Sequence, residues 1–135
     1  MAELEDLVVS GTELDKKLVA ETLMPYLQLD KDSCDIRPTE EWEELSQEQK
    51  IVAYLLARKA MVALRFELTA EAAKASEVVQ ATGLKSGTVY PALRSLLANR
   101  IINQSQDRRY FVPSYAITQI KSMLSGTQLK KEKNG

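Results

Sequence analysis

"TGLKSGTVYPALRSLLANR", residues Thr82 to Arg100, decides how the rest of the chain is read. Gly83 suits the left-handed residue that stops a helix, and Ser86 suits the cap of the next one. The spacing predicts two helices, over residues 75–82 and 86–99, joined by a turn at residues 83–85. Each helical step rotates by about 100°, which gathers Val89, Leu93, Leu96 and Leu97 into one apolar stripe. Gly87, Pro91, Arg94, Ser95 and Ala98 fall on the opposite side. A solvated helix face carries several charges; this one has small residues and a single arginine. Glycine and proline in a helix interior cost about 1 and about 3 kcal/mol relative to alanine. Their presence asks for a reason other than helicity.

Upstream, Ser46 followed by Gln49 forms a capping box that opens a long helix over residues 47–66. Ile51, Val52, Leu55, Leu56, Ala60, Val62, Ala63 and Leu64 leave it little polar face, so it should be the central buried helix. Nearer the start, Thr12 reads as the cap of a helix over "ELDKKLVAETLMPYL", which Pro25 limits to about Met24. Leu14, Leu18, Val19 and Leu23 share its apolar face. "YLQLDKDSCDIRP" reads as two short extended pieces around a polar turn at residues 30–33. Thr39 is expected to cap a single turn, "EEWEE", whose glutamates suit the positive end of a helix dipole rather than acid/base chemistry. "ELTAEAAK" reads as a loop or a loose helical turn. Downstream of the opening stretch come a strand (101–104), a turn, a second strand (109–112), a helix (114–124) and a disordered tail (125–135).

At 135 residues the chain makes one domain. It has no histidine and one cysteine, Cys34, which removes zinc sites and Ser-His-Asp or Cys-His nucleophiles. No phosphate loop or dinucleotide fingerprint is present. No enzyme activity, metal or cofactor is therefore expected. A lone cysteine makes no internal disulfide and fits a reducing compartment. The longest apolar run, 51–66, is interrupted by Arg58, Lys59 and Arg65 and is too short to span a bilayer. "MAELEDLVV" lacks the basic start and apolar centre of a secretory signal, so a cytoplasmic, nucleoid-associated location is expected. The net charge of −1 hides an asymmetry: residues 1–50 carry 14 acidic and 5 basic side chains, whereas residues 51–135 carry 5 and 13. Such a split points to one half that faces a polyanion and another that does something different.

Helix, short turn, helix and small β-hairpin is the order of a winged helix-turn-helix. "SGTVYPALRSLLANRII" resembles the recognition helix and following strand of winged-helix transcription regulators, most closely the PadR-like group. A Gly-Thr-aliphatic-Tyr-Pro-Ala-Leu run is characteristic of that group. The resemblance is strong over residues 83–102 and fair over 75–112; the first 70 residues match no part of that family. The order also departs from the family's, which usually places the winged helix first and a dimerising element after it.

The resemblance implies a mostly α fold with a small β-hairpin wing, here with an extra N-terminal helix and a possible short hairpin. Residues 1–45 would form an extension for dimerisation or docking, and residues 46–124 the winged helix-turn-helix domain. It also implies a sequence-specific double-stranded DNA-binding regulator that acts as a homodimer, with the first and last helices as candidate dimer elements. The residues support the same assignment. The helix at 86–99 suits the major groove, where Arg94 pairs with guanine or phosphate beside Ser95. Gly87 lets the backbone approach, and N–H groups near Ser86–Thr88 suit a phosphate; Thr88 and Lys85 belong to that front. Pro91 should tighten or kink the first turns, and Tyr90 sits at the edge of the apolar stripe, half-buried. On the hairpin, Gln104, Gln106, Arg108 and Arg109 suit the DNA backbone or minor groove, and Lys74 and Ser76 add phosphate contacts from the preceding helix. The alternative is a winged helix used as a protein-interaction module in a larger assembly, which the acidic first half would suit. Nothing in the sequence identifies a pocket for a small-molecule effector.

Overall fold

The computed structural model describes residue 4, residues 15–67 and residues 70–134, side chains excepted for 127–134. Among these residues lie five α-helices and two short antiparallel hairpins. The first helix, α1 (Lys16–Leu23), starts at Asp15, whose carboxylate accepts from the Leu18 N–H at 3.0 Å. Aspartate is a better cap than threonine, and it replaces Thr12, which lies outside the described residues together with Leu14. Two strands follow, β1 (Leu27–Asp30) and β2 (Asp35–Pro38), paired so that Leu29 faces Ile36. Asp30 closes their turn by accepting from the N–H groups of Asp32 and Ser33. Thr39 stands at the N-cap of the next turn, a 3-10 helix at Glu40–Glu44, as expected, but its side chain makes no capping bond. Its hydroxyl donates instead to the Pro25 carbonyl at 2.7 Å, tying that turn back to the end of α1.

The expected capping box is present. Gln49 N–H donates to Ser46 Oγ at 3.2 Å and Ser46 N–H donates to Gln49 Oε1 at 2.7 Å. It opens α2 (Gln47–Ala63), which is buried along most of its length and is the central helix. The helix stops three residues short of Phe66 because Arg65 takes a left-handed conformation, φ 64°. Phe66 N–H then reaches the Met61 carbonyl and Arg65 N–H the Val62 carbonyl, the paired closing bonds that glycine usually permits. No glycine marks the spot, so the sequence pattern overshoots it.

The next two helices are α3 (Ala75–Thr82) and α4 (Ser86–Ala98), joined through Gly83 at φ 74°. Ser86 is the first helical residue of α4 and not its cap; Lys85 takes that place, without a side-chain bond. Arg100, φ 59°, closes α4 as Arg65 closes α2, with Ile101 N–H bonded to the Leu96 carbonyl. The second hairpin, β3 (Asn103–Gln104) and β4 (Tyr110–Phe111), is shorter than its pattern implied. Ile101 is used to end α4, and Pro113 has no N–H to extend the ladder. A further link was not foreseen: Ala73, in the stretch expected to be a loop or a loose helical turn, exchanges two 2.8 Å backbone bonds with Tyr110.

A 3-10 turn at Ser114–Ala116 leads into α5 (Ile117–Asn134), which continues through residues 125–134, where a disordered tail was expected. That stretch holds no proline and several good helix formers. The stripe Ala116, Ile117, Ile120 and Leu124 is buried in the chain's own core. Tyr26 Oη donates to the Leu124 carbonyl at 2.9 Å, Gln49 Nε2 donates to the Met123 carbonyl at 2.8 Å, and Lys121 pairs with Glu21 at 3.0 Å. One buried cluster runs from Val19 to Leu124 and takes residues from all five helices. Among the described residues no helix is long and apolar enough to cross a membrane.

Candidate nucleic-acid interface

The orientation of α4 is set by burial. Val89, Leu93 and Leu96 have no accessible surface, Leu97 is half-buried, and α2 is the helix they pack on. Gly87, Tyr90, Pro91, Arg94 and Ala98 are left exposed, with Ser95 half-buried among them. A Cβ placed on Gly87 would meet nothing within 4 Å, and its φ is not positive. Neither packing nor backbone conformation calls for glycine there. Pro91 is accommodated in a continuous helix. It has no N–H to give the Gly87 carbonyl, four residues earlier, and its ring crowds that carbonyl. The exposed front of α4 therefore presents a carbonyl without its usual helical donor. Thr88 is half-buried and, with Gly87, Pro91 and Ala92, lines a shallow groove of about 380 Å³ whose other wall is Gln47 and Glu48 of α2.

A second cleft, of about 560 Å³, opens between the start of α3, the middle of α4 and the second hairpin. Lys74, Ser76, Tyr90, Gln104, Asp107 and Arg108 are among its lining residues. It gathers onto one surface five of the residues chosen from the sequence, drawn from three separate elements. Tyr90 is half exposed and faces this cleft. Lys85, Ser86 and Gln106 are exposed as well but lie outside it. Among the described residues, Lys74, Lys85, Arg94 and Arg108 have no carboxylate partner.

The two arginines of the hairpin part company. Arg108 is exposed in the turn at φ 61°, with its N–H bonded to the Ser105 carbonyl. Arg109 is half-buried, its Nε 2.9 Å from Asp107 Oδ2 and its Nη1 3.9 Å from Glu77 Oε1. Of the two adjacent arginines, Arg109 is the one paired with Asp107. Asp107 is held below the usual carboxylate range, first by the Ser105 hydroxyl that donates to it and further by Arg109.

The residue that holds this surface in place went unnoticed in the sequence. Arg58 of α2 is only 4% exposed. Its Nε donates to the Glu71 carbonyl at 3.0 Å, and its Nη2 to the carbonyls of Ala70 at 2.8 Å and Ala72 at 3.2 Å. Nη1 reaches the Tyr54 hydroxyl at 3.1 Å and Glu77 Oε2 at 3.4 Å. The arginine thereby fixes residues 70–72, next to the Ala73 that pairs with the hairpin, and Lys59 adds a 2.8 Å pair to Glu71. An arginine inside a helix with so little polar face, once buried, must be fully partnered; its place in the apolar run was the available signal. Comparison with family models, with curated proteins and with solved structures finds no match for this chain.

Proposed function

We propose that the protein is a sequence-specific double-stranded DNA-binding transcriptional regulator of the winged helix-turn-helix type. The order α2, Ala73 bridge, α3, α4 and hairpin supports the assignment. The observation that carries it is the cleft that joins Lys74 and Ser76, Tyr90, and Gln104 and Arg108 beside the exposed face of α4. In this reading α4 enters the major groove, with Arg94 available to a guanine edge and Gly87 allowing close approach. The hairpin follows the sugar-phosphate backbone or minor groove through Arg108, while Lys74, Ser76 and Lys85 take phosphates from α3 and the turn. Arg109 has a supporting role, since its guanidinium is already committed.

The test is a salt titration of binding to duplex DNA by fluorescence anisotropy. If Lys74, Lys85, Arg94 and Arg108 each displace a counterion, log K falls with log salt at a slope between about −3 and −4 per protomer. Lys74→Ala and Arg108→Ala each flatten that slope by about one, on any sequence. Arg94→Ala instead costs about 1–3 kcal/mol of discrimination between sequences. No binding to any duplex at about 50 mM salt, where phosphate contacts are strong, would remove the reading.

A single module makes a small interface, and two half-sites call for two copies. With the α5 stripe used by its own core, α1 is the element left to pair. An apolar groove of about 770 Å³ lies along it, lined by Val19, Leu23, Met24, Leu27, Leu29 and Leu64 among others. Met24 is 72% and Leu64 52% exposed, so two large apolar side chains stand open to a partner at the edge of this groove. The second copy of the chain is the occupant this reading assigns. Light scattering that finds a dimer, converted to monomer by Met24→Glu, supports it; a monomer at tens of micromolar overturns it. The same groove is what favours the alternative, a protein-interaction module, and absence of duplex binding together with a monomer whose groove stays open would turn the reading that way.

A further inference from the structure

Glu77 stands where three elements meet. Its Oε1 accepts from the Lys74 N–H at 3.0 Å, closing the first turn of α3, and lies 3.9 Å from Arg109 Nη1 on the hairpin. Its Oε2 lies 3.4 Å from Arg58 Nη1 in the core. Arg109 continues the line to Asp107 at 2.9 Å, and Asp107 to the Ser105 hydroxyl. Charge therefore alternates in sign from the buried arginine of α2 to the tip of the hairpin: Arg58, Glu77, Arg109, Asp107. Among the described residues the hairpin's backbone holds itself by two residue pairs and a Ser105 N–H bond to the Arg109 carbonyl, and it joins the rest through the bridge between Tyr110 and Ala73. So small a ribbon is not stable alone, and side chains must supply much of its orientation.

We infer that Glu77 is a positioning residue for the cleft, fixing the hairpin against α3 and so the separation of Arg108 from Lys74 and Ser76. The inference rests on the DNA-binding reading of that cleft. It opposes what Coulomb's law alone predicts. A carboxylate beside cations on a phosphate-facing surface weakens binding to a polyanion, so its removal would tighten binding. A positioning role predicts the reverse, because a loosened hairpin no longer presents Arg108 at the right distance.

The experiment uses Glu77→Gln, which keeps an acceptor for the Lys74 N–H but drops the charge shared by the two arginines. Arg109→Gln breaks the same line on the hairpin side and leaves Arg58 untouched. Hydrogen exchange of the Tyr110 and Ala73 amides, measured without DNA, should accelerate roughly tenfold in both variants, while amides in the middle of α2 keep their protection. Duplex affinity should fall by about three- to tenfold, and Arg108→Ala should cost less in the Glu77→Gln background than in the parent, since the two act through one contact. Unchanged exchange at Tyr110 in both variants overturns the inference, as does a Glu77→Gln protein that binds duplex more tightly than the parent. If the parent protein binds no duplex, the DNA reading fails, and the exchange data alone decide whether Glu77 holds the hairpin.

Discussion

Replacing Gly87 by alanine separates what the fold needs from what the proposed interface needs. The added Cβ would stand in open space and the backbone there has no positive φ, so α4 accepts alanine without rearrangement. Alanine loses less chain entropy on folding than glycine, a difference of about 0.5–1 kcal/mol inside a helix. The residue lies in the first turn, where the lower half of that range applies. For a chain of this length the gain corresponds to a rise in Tm of about 2–3 °C, read from a circular-dichroism melt. The same methyl group would project from the exposed face of α4 beside Pro91, where the backbone is argued to approach a duplex closely. Affinity measured by anisotropy at fixed salt should drop about tenfold, an energy of about 1.4 kcal/mol. A protein that melts higher and binds as before would refute close approach at Gly87. One that melts lower would show that the fold itself requires this glycine, against the open surroundings of the residue.

Four further outcomes can be checked. Arg58→Met removes the donors to the carbonyls of Ala70, Glu71 and Ala72 and should cost about 3–5 kcal/mol in urea denaturation, with Arg58→Lys recovering little because an ammonium cannot span the same fork; a loss below about 1 kcal/mol would mean the network contributes no net stability. Ser46→Ala breaks the capping box that starts α2 and should cost about 1 kcal/mol by the same method. Burial raises the pKa of Tyr54 and of Tyr26, with Arg58 opposing the shift at Tyr54 and Glu41 adding to it at Tyr26. A folded pKa above the unfolded value of about 10 leaves stability whole below that pH and drains it as pH rises through the raised values, so Tyr54→Phe and Tyr26→Phe should each blunt the alkaline fall of Tm. Arg108→Gly relieves a left-handed arginine and should raise Tm while flattening the salt slope by about one, whereas Arg65→Gly should raise Tm and leave the slope alone.

What could be read from the residues alone was local. Gly83 ends α3, Ser46 with Gln49 opens α2, and each signal spans only a few residues, whereas the cap expected at Ser86 falls one residue earlier, at Lys85. The stripe Val89, Leu93 and Leu96 gives the buried side of α4, and by subtraction its exposed side. The features that escaped depend on pairings distant in sequence. Ala73 pairs with Tyr110 across two intervening helices, and nothing in "AEAAK" marks an extended residue. The partners of Arg58 are mainly backbone carbonyls, which carry no side-chain signature. Arg108 and Arg109 look alike in sequence; a left-handed backbone at one and a carboxylate pair at the other send them to different surroundings. At the start of α1, local preference ranks Asp15 above Thr12 as a cap, and the helix begins there.

Two departures from backbone preference meet around the exposed side of α4. Gly87 occupies a helical position where alanine would be more stable, and Arg108 occupies a left-handed position where glycine would be. A left-handed arginine is not by itself a mark of function, because Arg65 and Arg100 adopt the same conformation simply to end α2 and α4. There a cation near a helix C-terminus recovers part of the strain through the dipole. Arg108 ends no helix and pairs with no carboxylate among the described residues; its left-handed φ closes the hairpin turn, where its N–H bonds to the Ser105 carbonyl and the Ser105 N–H to the Arg109 carbonyl. Gly87 lacks any such local account. Backbone strain and weak propensity persist where surrounding structure imposes them or where function uses them. At Gly87 the surroundings impose nothing, and in the proposed interface the close approach of a duplex to the front of α4 would be the reason for the residue. The cleft that holds Arg108 lies on the same helix through Tyr90, three residues further along, so one polyanion lying across both would touch the pair.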